Sequence, residues 1–441
     1  MTSVFSRDLH HAYPIAVGGN GMYLYDQQGR EYLDMCGGAA VSCLGHQHPA
    51  VIDAIQHQLG KMAFAHTSFF SNEPQEQLAG LLVNAFGDKG TLAYFSNGGS
   101  EANETALKVA WQYWQAIGKP EKTKIISRTH SYHGNTFGAL SASGHPARRA
   151  VLSHVLCDWP RIGPCYAYRY QKKDETEEDY ADRAAGQLEQ EILRQGTNTI
   201  AAFIAEPVVG ASLGAVCAYN GYFKKIRAIC DRHDILFIAD EVMCGTGRTG
   251  TFFAHEQEGI RPDIVTLAKG LGGGFQPLAA TIVNSQIANT FISSTAGFAH
   301  GHTYGGHAAA CSAGVAVLKT IKQQDMLSGV RHNGAALKTA LKVAFADHPN
   351  VGDIRGRGLL QAIEFVEDKD KKTPIADGSK VAKLLKDSAM KHGLMCYPGG
   401  GNPVDGLNCH ILLAPPYIME ESHIDEAIAK LTATITEVFG A

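Results

Sequence analysis

The stretch Asp263-Ile-Val-Thr-Leu-Ala-Lys-Gly-Leu-Gly-Gly-Gly274 decides how this chain is read. Its apolar run has the length of a buried strand, and Lys269 stands just past the end. Upstream, Ile235-Leu-Phe-Ile-Ala-Asp-Glu-Val242 is a second such run, with Asp240 at its end. Ile200-Ala-Ala-Phe-Ile-Ala205 is a third, followed by Glu206, and Lys124-Ile-Ile-Ser127 is a fourth. Helical segments such as 221–232 lie between them. Strands alternating with helices predict an α/β fold with a mainly parallel sheet covered on both faces. Ligands collect at the carboxyl ends of such strands, where Glu206, Asp240 and Lys269 all fall.

The flanks read differently. Residues Gly18 to Leu33 form a small β-meander, with Tyr23, Tyr25 and Tyr32 around the turn Asp26-Gln-Gln-Gly29. Pro49 opens a helix to about Gly60 with Val51, Ile55 and Leu59 on one face, and Pro74 opens another. A glycine turn, Ser96-Asn-Gly-Gly-Ser-Glu-Ala102, leads into a helix over 101–117. Beyond Gly314, helices to about Gln323, over 330–347, over 379–392 and from about 420 accompany the strand Leu359 to Phe365. This is a second, α+β layer. Segment 171–194 is highly charged, yet Tyr180, Ala184, Leu188 and Ile192 give it a helical stripe, so it reads as a surface helix.

Among 441 residues, 45% are hydrophobic and 19% charged, the composition of a soluble globular protein. A formal charge of -4 carries no basic footprint for nucleic acid. No apolar run is long enough to span a bilayer, and the first residues lack a signal core. The 10 cysteines are scattered without a C-x-x-C pair, which speaks against a disulfide framework and for a reduced, cytoplasmic setting. The histidines lack an accompanying acid or cysteine at ligand spacing, so no metal is expected.

A strand-end lysine, a strand-end acid and a glycine turn at a helix start match the needs of pyridoxal phosphate. That cofactor requires an amine for its aldehyde, an acid for its pyridine nitrogen and a nest of N–H groups for its phosphate. Each piece has a plainer reading: Asp240 as a cap, Lys269 as a loop lysine, Ser100 and Asn103 as helix-capping residues. Gly270-Leu-Gly-Gly-Gly274 does not have the G-x-G-x-x-G spacing of a dinucleotide turn. Tyr132-His133-Gly134 offers an aromatic plate that could cover a cofactor ring.

Together these residues resemble the class III (ω-) aminotransferases. The resemblance runs through Leu44-Gly-His-Gln-His-Pro49, Asn97-Gly-Gly-Ser-Glu-Ala102, Tyr132-His-Gly134 and Glu206-Pro207. It continues in Asp240-Glu-Val-Met-Cys-Gly-Thr-Gly-Arg-Thr-Gly250, Leu267-Ala-Lys-Gly270, Gly301-His-Thr-Tyr-Gly-Gly-His307 and Ala414-Pro-Pro416. The resemblance implies fold type I, with a large domain on a mainly parallel seven-stranded sheet and a small domain built from both termini. The expected divisions are 1–65, 66–312 and 313–441. It also implies a PLP-dependent transaminase with a ping-pong Schiff-base mechanism, moving an amino group from an ω-amino acid or amine to a 2-oxo acid such as pyruvate. Lys269 would be the Schiff-base lysine and Asp240 the pyridinium partner. Tyr132 would stack over the ring, Val242 pack under it, and His133, Met243 and Glu206 border it. Gly98, Gly99 and Ser100 would bind the phosphate, joined by Thr303 of a neighbouring chain, which makes a homodimer the smallest active unit.

Three departures shape the expected substrate pocket, bordered by Ala40, Phe69 and Tyr397. Met243 stands where members acting on ornithine-type substrates carry glutamine. Tyr397, in Met395-Cys-Tyr-Pro-Gly-Gly-Gly401, stands where pyruvate-dependent amine transaminases carry a flexible arginine. Gly37-Gly-Ala-Ala-Val41 places small residues where they carry tryptophan, so the donor pocket is expected to be roomier. Carboxylate recognition must come from elsewhere, with Arg357 a candidate whose plainer reading is structural. An aminomutase, racemase or dialkylglycine-type decarboxylase shares the Lys269 and Asp240 chemistry, and a non-catalytic binding protein on the same fold is a rival of another class.

Overall fold

The computed structural model describes residues 3–295, 297–400 and 409–440. Its centre is a seven-stranded sheet in the order Leu92–Ser96, Ala279–Val283, Ile264–Leu267, Leu236–Asp240, Ile200–Ala205, Lys124–Arg128 and Arg161–Ile162. The last five strands run parallel to one another, and Ala279–Val283 is antiparallel to both of its neighbours. Ile200–Ala205 and Leu236–Asp240 are buried along their whole length, as a sheet covered on both faces requires.

The covering helices are amphipathic. Glu177–Gln195 begins with a capping box between Thr176 and Asp179 and buries Tyr180, Ala184, Leu188 and Ile192. The charges that dominate its sequence therefore form its outer face, as expected. On the other side, Gly99–Ala116 buries Ala106, Val109, Ala110 and Tyr113, and the Trp114 indole donates to the Ala201 carbonyl at 2.8 Å. That bond ties the end of the helix to a central strand. Its start therefore stays at the strands' carboxyl edge.

Both chain ends meet in the second layer. The meander Ala16–Asn20, Tyr23–Asp26 and Glu31–Asp34 is completed by Leu394–Met395, which lies parallel to its third strand. Val351–Arg357, Leu360–Asp368, Cys409–Leu413 and Tyr397–Gly400 form a further antiparallel sheet. One core cluster joins Leu33, Met35 and Val51 to Leu337, Leu385 and Leu431. The helix Ala308–Gln323 serves both layers: Ala313 and Val317 enter this cluster, while Cys311 and Leu318 enter the one under the large sheet. The expected division at 312/313 falls inside that helix.

Candidate active site

Asp240 ends its strand with 3% of its surface exposed and with both carboxylate oxygens engaged. Oδ2 accepts from Asn103 Nδ2 at 2.8 Å and lies 2.7 Å from His133 Nδ1. Oδ1 accepts the Val242 N–H at 3.0 Å. The neighbours are fixed in turn. Thr266 Oγ1 donates to Asn103 Oδ1 at 2.8 Å, Asn103 donates to the His133 carbonyl at 2.6 Å, and His133 N–H donates to Ser143 Oγ at 2.8 Å. A buried carboxylate is tolerated only when its lone pairs are satisfied in this way.

Lys269 follows Ile264–Leu267 and opens a short 3-10 turn with a left-handed φ of 47°. A lysine rarely adopts that backbone, and such outliers persist where the surroundings hold them. Burial lowers its pKa to about 8, against the pull of Asp240 and Glu206 in the other direction. Glu206, just past Ile200–Ala205, accepts the Tyr132 N–H at 3.1 Å and the Gly210 N–H at 2.7 Å. Burial raises its pKa.

These side chains border a single cavity of about 510 Å³. Gly98, Gly99, Ser100, Tyr132, His133, Glu206, Asp240, Val242, Met243, Lys269 and Tyr397 all line it. The first N–H groups of an α-helix have no intrahelical partner, and no side chain caps the start of Gly99–Ala116. A Cβ on Gly99 would lie 2.7 Å from Val242 Cγ1, so the helix start is pressed against the loop after Asp240. An anion nest, a buried carboxylate and a partly neutral amine thus share one space. These residues fit pyridoxal phosphate.

Three expected pocket residues lie elsewhere, and Thr303, expected at a neighbouring chain's site, lies outside the cavity of its own chain. Ala40 is buried against Val208, Ala215 and Met243, and it is Ala39 and Val41 that line the cavity. The tight turn with positive φ at Gly37, Gly38 and Ala40 sets which of these small residues face the cavity. Arg357 does not line the cavity; it is ion-paired to buried Glu258 at 2.7 Å, which makes it structural. Phe69 is 79% exposed, and Thr303 is exposed as well. Neither lines the cavity of its own chain. Gly401, at the end of the glycine run after Tyr397, lies outside the described residues.

Sequence reading missed Asn103 as a ligand of Asp240, although it sits one helical turn beyond Gly99. It also missed His145 and Arg148, which line the cavity from the N-cap and the body of the short helix Pro146–Ala150. No periodicity or motif marks them.

Comparison with known proteins agrees with this geometry. The family model for class-III aminotransferases matches residues 4–435. An uncharacterised aminotransferase of Schizosaccharomyces pombe is 44% identical over 99% of this chain and 96% of its own. The chloroplastic gamma aminobutyrate transaminase 3 of Solanum lycopersicum is 39% identical over 93% of this chain and 78% of its own. The crystal structure of the omega transaminase from Pseudomonas jessenii in complex with PMP superposes with a TM-score of 0.90. It is 34% identical, covering 97% of this chain and 94% of that one.

Proposed function

The chain belongs to the class III aminotransferases, enzymes that use pyridoxal phosphate, and we propose that it moves an amino group from an ω-amino acid or amine to a monocarboxylate 2-oxo acid such as pyruvate. The observation that carries this reading is the single cavity that joins Lys269 and Asp240 to a wall of small and apolar residues, among them Ala39, Val41, Pro398 and Gly399. Such a wall admits a donor side chain without asking for charge. The likeness to a gamma aminobutyrate transaminase supports an ω-amino donor. Besides Lys269, one lysine or arginine alone lines the cavity among the described residues, which matches an acceptor with one carboxylate better than one with two.

When bound, the cofactor supplies an aldehyde for the amine and a ring that withdraws electrons while its nitrogen is protonated. Asp240, held by Asn103, His133 and Val242, keeps that proton in place as a fixed negative charge. Burial brings the Lys269 pKa down to about 8, so part of the amine is neutral near physiological pH and could take a proton from the donor's Cα and later return one to the acceptor carbon. The N-terminus of Gly99–Ala116 would hold the phosphate and Val242 and Tyr132 would border the ring, while Glu206 fixes the Tyr132 backbone. The donor leaves as a carbonyl compound before the acceptor enters, so the two substrates use the same space in turn.

The working unit is a homodimer with shared sites, in a cytoplasmic setting. Thr303 and Phe69 lie outside their own cavity, beside an exposed aromatic group in which Phe64 contacts Tyr304 at 5.5 Å and His66 contacts Phe69 at 6.0 Å. Exposed apolar clusters of this kind mark contact surfaces. All ten cysteines are free, which suits a reducing compartment.

The test is a panel of amines and ω-amino acids offered to the holoprotein with pyruvate or 2-oxoglutarate. Alanine formed in step with donor consumed supports the reading. Carbon dioxide release, or a donor isomerised with no oxo acid consumed, would replace it with the decarboxylase or aminomutase alternative.

A further inference from the structure

Two basic side chains line the cavity and have no part in the roles above: His145 and Arg148. Both pack against Tyr132. The Arg148 guanidinium lies over its ring, 4.7 Å from the centroid, and the His145 ring meets it edge-on at 6.4 Å. The neighbouring Arg149 shows what a structural arginine looks like here, donating to the carbonyls of Leu140, Ser141 and Ser143. Arg148 has no carboxylate or carbonyl partner among the described residues. Its aromatic contact holds a planar fork at the cavity and leaves its N–H groups free.

The remaining charges of the cavity are committed. Asp240 is tied to Asn103 and His133, and Glu206 to the N–H groups of Tyr132 and Gly210. Neither acid is paired with Arg148. His145 Nδ1 is buried and has no hydrogen-bond partner among the described residues. Burial, reinforced by the Arg148 charge, lowers the pKa of this imidazole to about 4, so at neutral pH it can offer an N–H without adding charge. A free guanidinium and an unpartnered ring nitrogen against the same aromatic plate form a carboxylate receptor.

We propose that Arg148, with His145 beside it, binds the carboxylate of the 2-oxo acid acceptor and of amino-acid donors. The assignment rests on the transaminase reading above. It supplies the recognition that Tyr397 cannot give and that Arg357, spent on Glu258, does not give. It also predicts how the enzyme accepts amines without a carboxylate: Arg148, exposed at the cavity, stays in water when no anion is present.

The test compares wild-type holoenzyme with Arg148→Ala and Arg148→Lys. Propionate, an unreactive monocarboxylate, is titrated calorimetrically, and amination of pyruvate is measured beside amination of benzaldehyde. In Arg148→Ala the propionate Kd and the pyruvate KM should rise at least about tenfold, the loss expected for charge-assisted hydrogen bonds. With a carboxylate-free amine as donor, the benzaldehyde KM should change far less than the pyruvate KM, and lysine should restore part of the propionate affinity. Unaltered propionate binding, or an equal loss with benzaldehyde, overturns the assignment. Benzaldehyde amination by the wild type tests the transaminase reading separately. If that activity is absent, the propionate titration still decides whether Arg148 holds a carboxylate.

Discussion

Asp240 meets Asn103, His133 and the Val242 N–H within 3.0 Å, and two of those partners are fixed by Thr266 and Ser143. The lining from Tyr397 to Gly400 is built otherwise. It is an edge strand of the smaller layer, partly exposed, with two glycines, and it pairs with one neighbour, Cys409–Leu413. On the cofactor side the polar atoms around Asp240 are paired, with His133 Nε2 left over among the described residues, and a change in one residue propagates to the next. On the substrate side few polar atoms are committed, so residues can change without unsettling the core. The difference teaches where evolution can vary this enzyme: the chemistry is over-determined, while the choice of substrate rests on a few loosely held side chains.

The sharpest break of that comparison is Lys269→Ala. Turnover should fall on the order of 10⁴-fold, the upper range for one acid–base group, while the fold persists. Borohydride reduction of the wild type followed by peptide mapping should place the cofactor on Lys269. A label on another lysine would end the assignment. Asp240→Asn should retain the cofactor yet slow single turnovers about 10²–10³-fold, as loss of a preorganised charge does. Near-normal single turnovers would show that the hydrogen-bonded side of the cavity is structural only.

Thr303→Ala asks whether the cofactor side is complete within one chain. Cofactor release should become easier by about 1.5–3 kcal/mol, the value of one hydrogen bond to a charged group. Mixing inactive Lys269→Ala chains with inactive Thr303→Arg chains should restore one intact site per heterodimer. No recovery after demonstrated subunit exchange would refute the shared site. The smallest effect concerns pH. The Lys269 amine is charged below about 8 and neutral above it, and only the neutral amine attacks an aldehyde. Cofactor uptake by apoprotein should therefore accelerate roughly tenfold from pH 7 to pH 9 and then level off. A rise that continues past about pH 10 without levelling off would mean that burial does not depress this lysine.

Much of the cofactor side was legible because it follows from strand ends. Ile200–Ala205, Leu236–Asp240 and Ile264–Leu267 are short, fully buried and mainly apolar strands, and the polar residue at or just past the end of such a strand emerges at the sheet's carboxyl edge. The substrate side was not legible for the complementary reason. Ala39 replaced Ala40 at the cavity because three positive φ angles in one turn reset which side chains face inward. Arg357 was misplaced because its partner, Glu258, is 99 residues away in sequence and no local pattern announces it. Arg148 sits on a helix of five residues, too short to show a period.

The joining of both ends in one layer has a consequence for the chain's birth. Tyr23 donates to Glu426 across 403 residues, and the meander is not completed until Leu394 and Met395 arrive. At ~5–20 residues per second of synthesis, the first strands wait roughly 20–70 s for their partners. During that time Leu33 and Met35, buried in the finished molecule, have no core to enter. The large sheet, whose last strand ends at Val283, can close while the tail is still being made. The smaller layer is then the last to form and, in an ageing or damaged molecule, the layer where a protease or a chaperone would first find exposed chain.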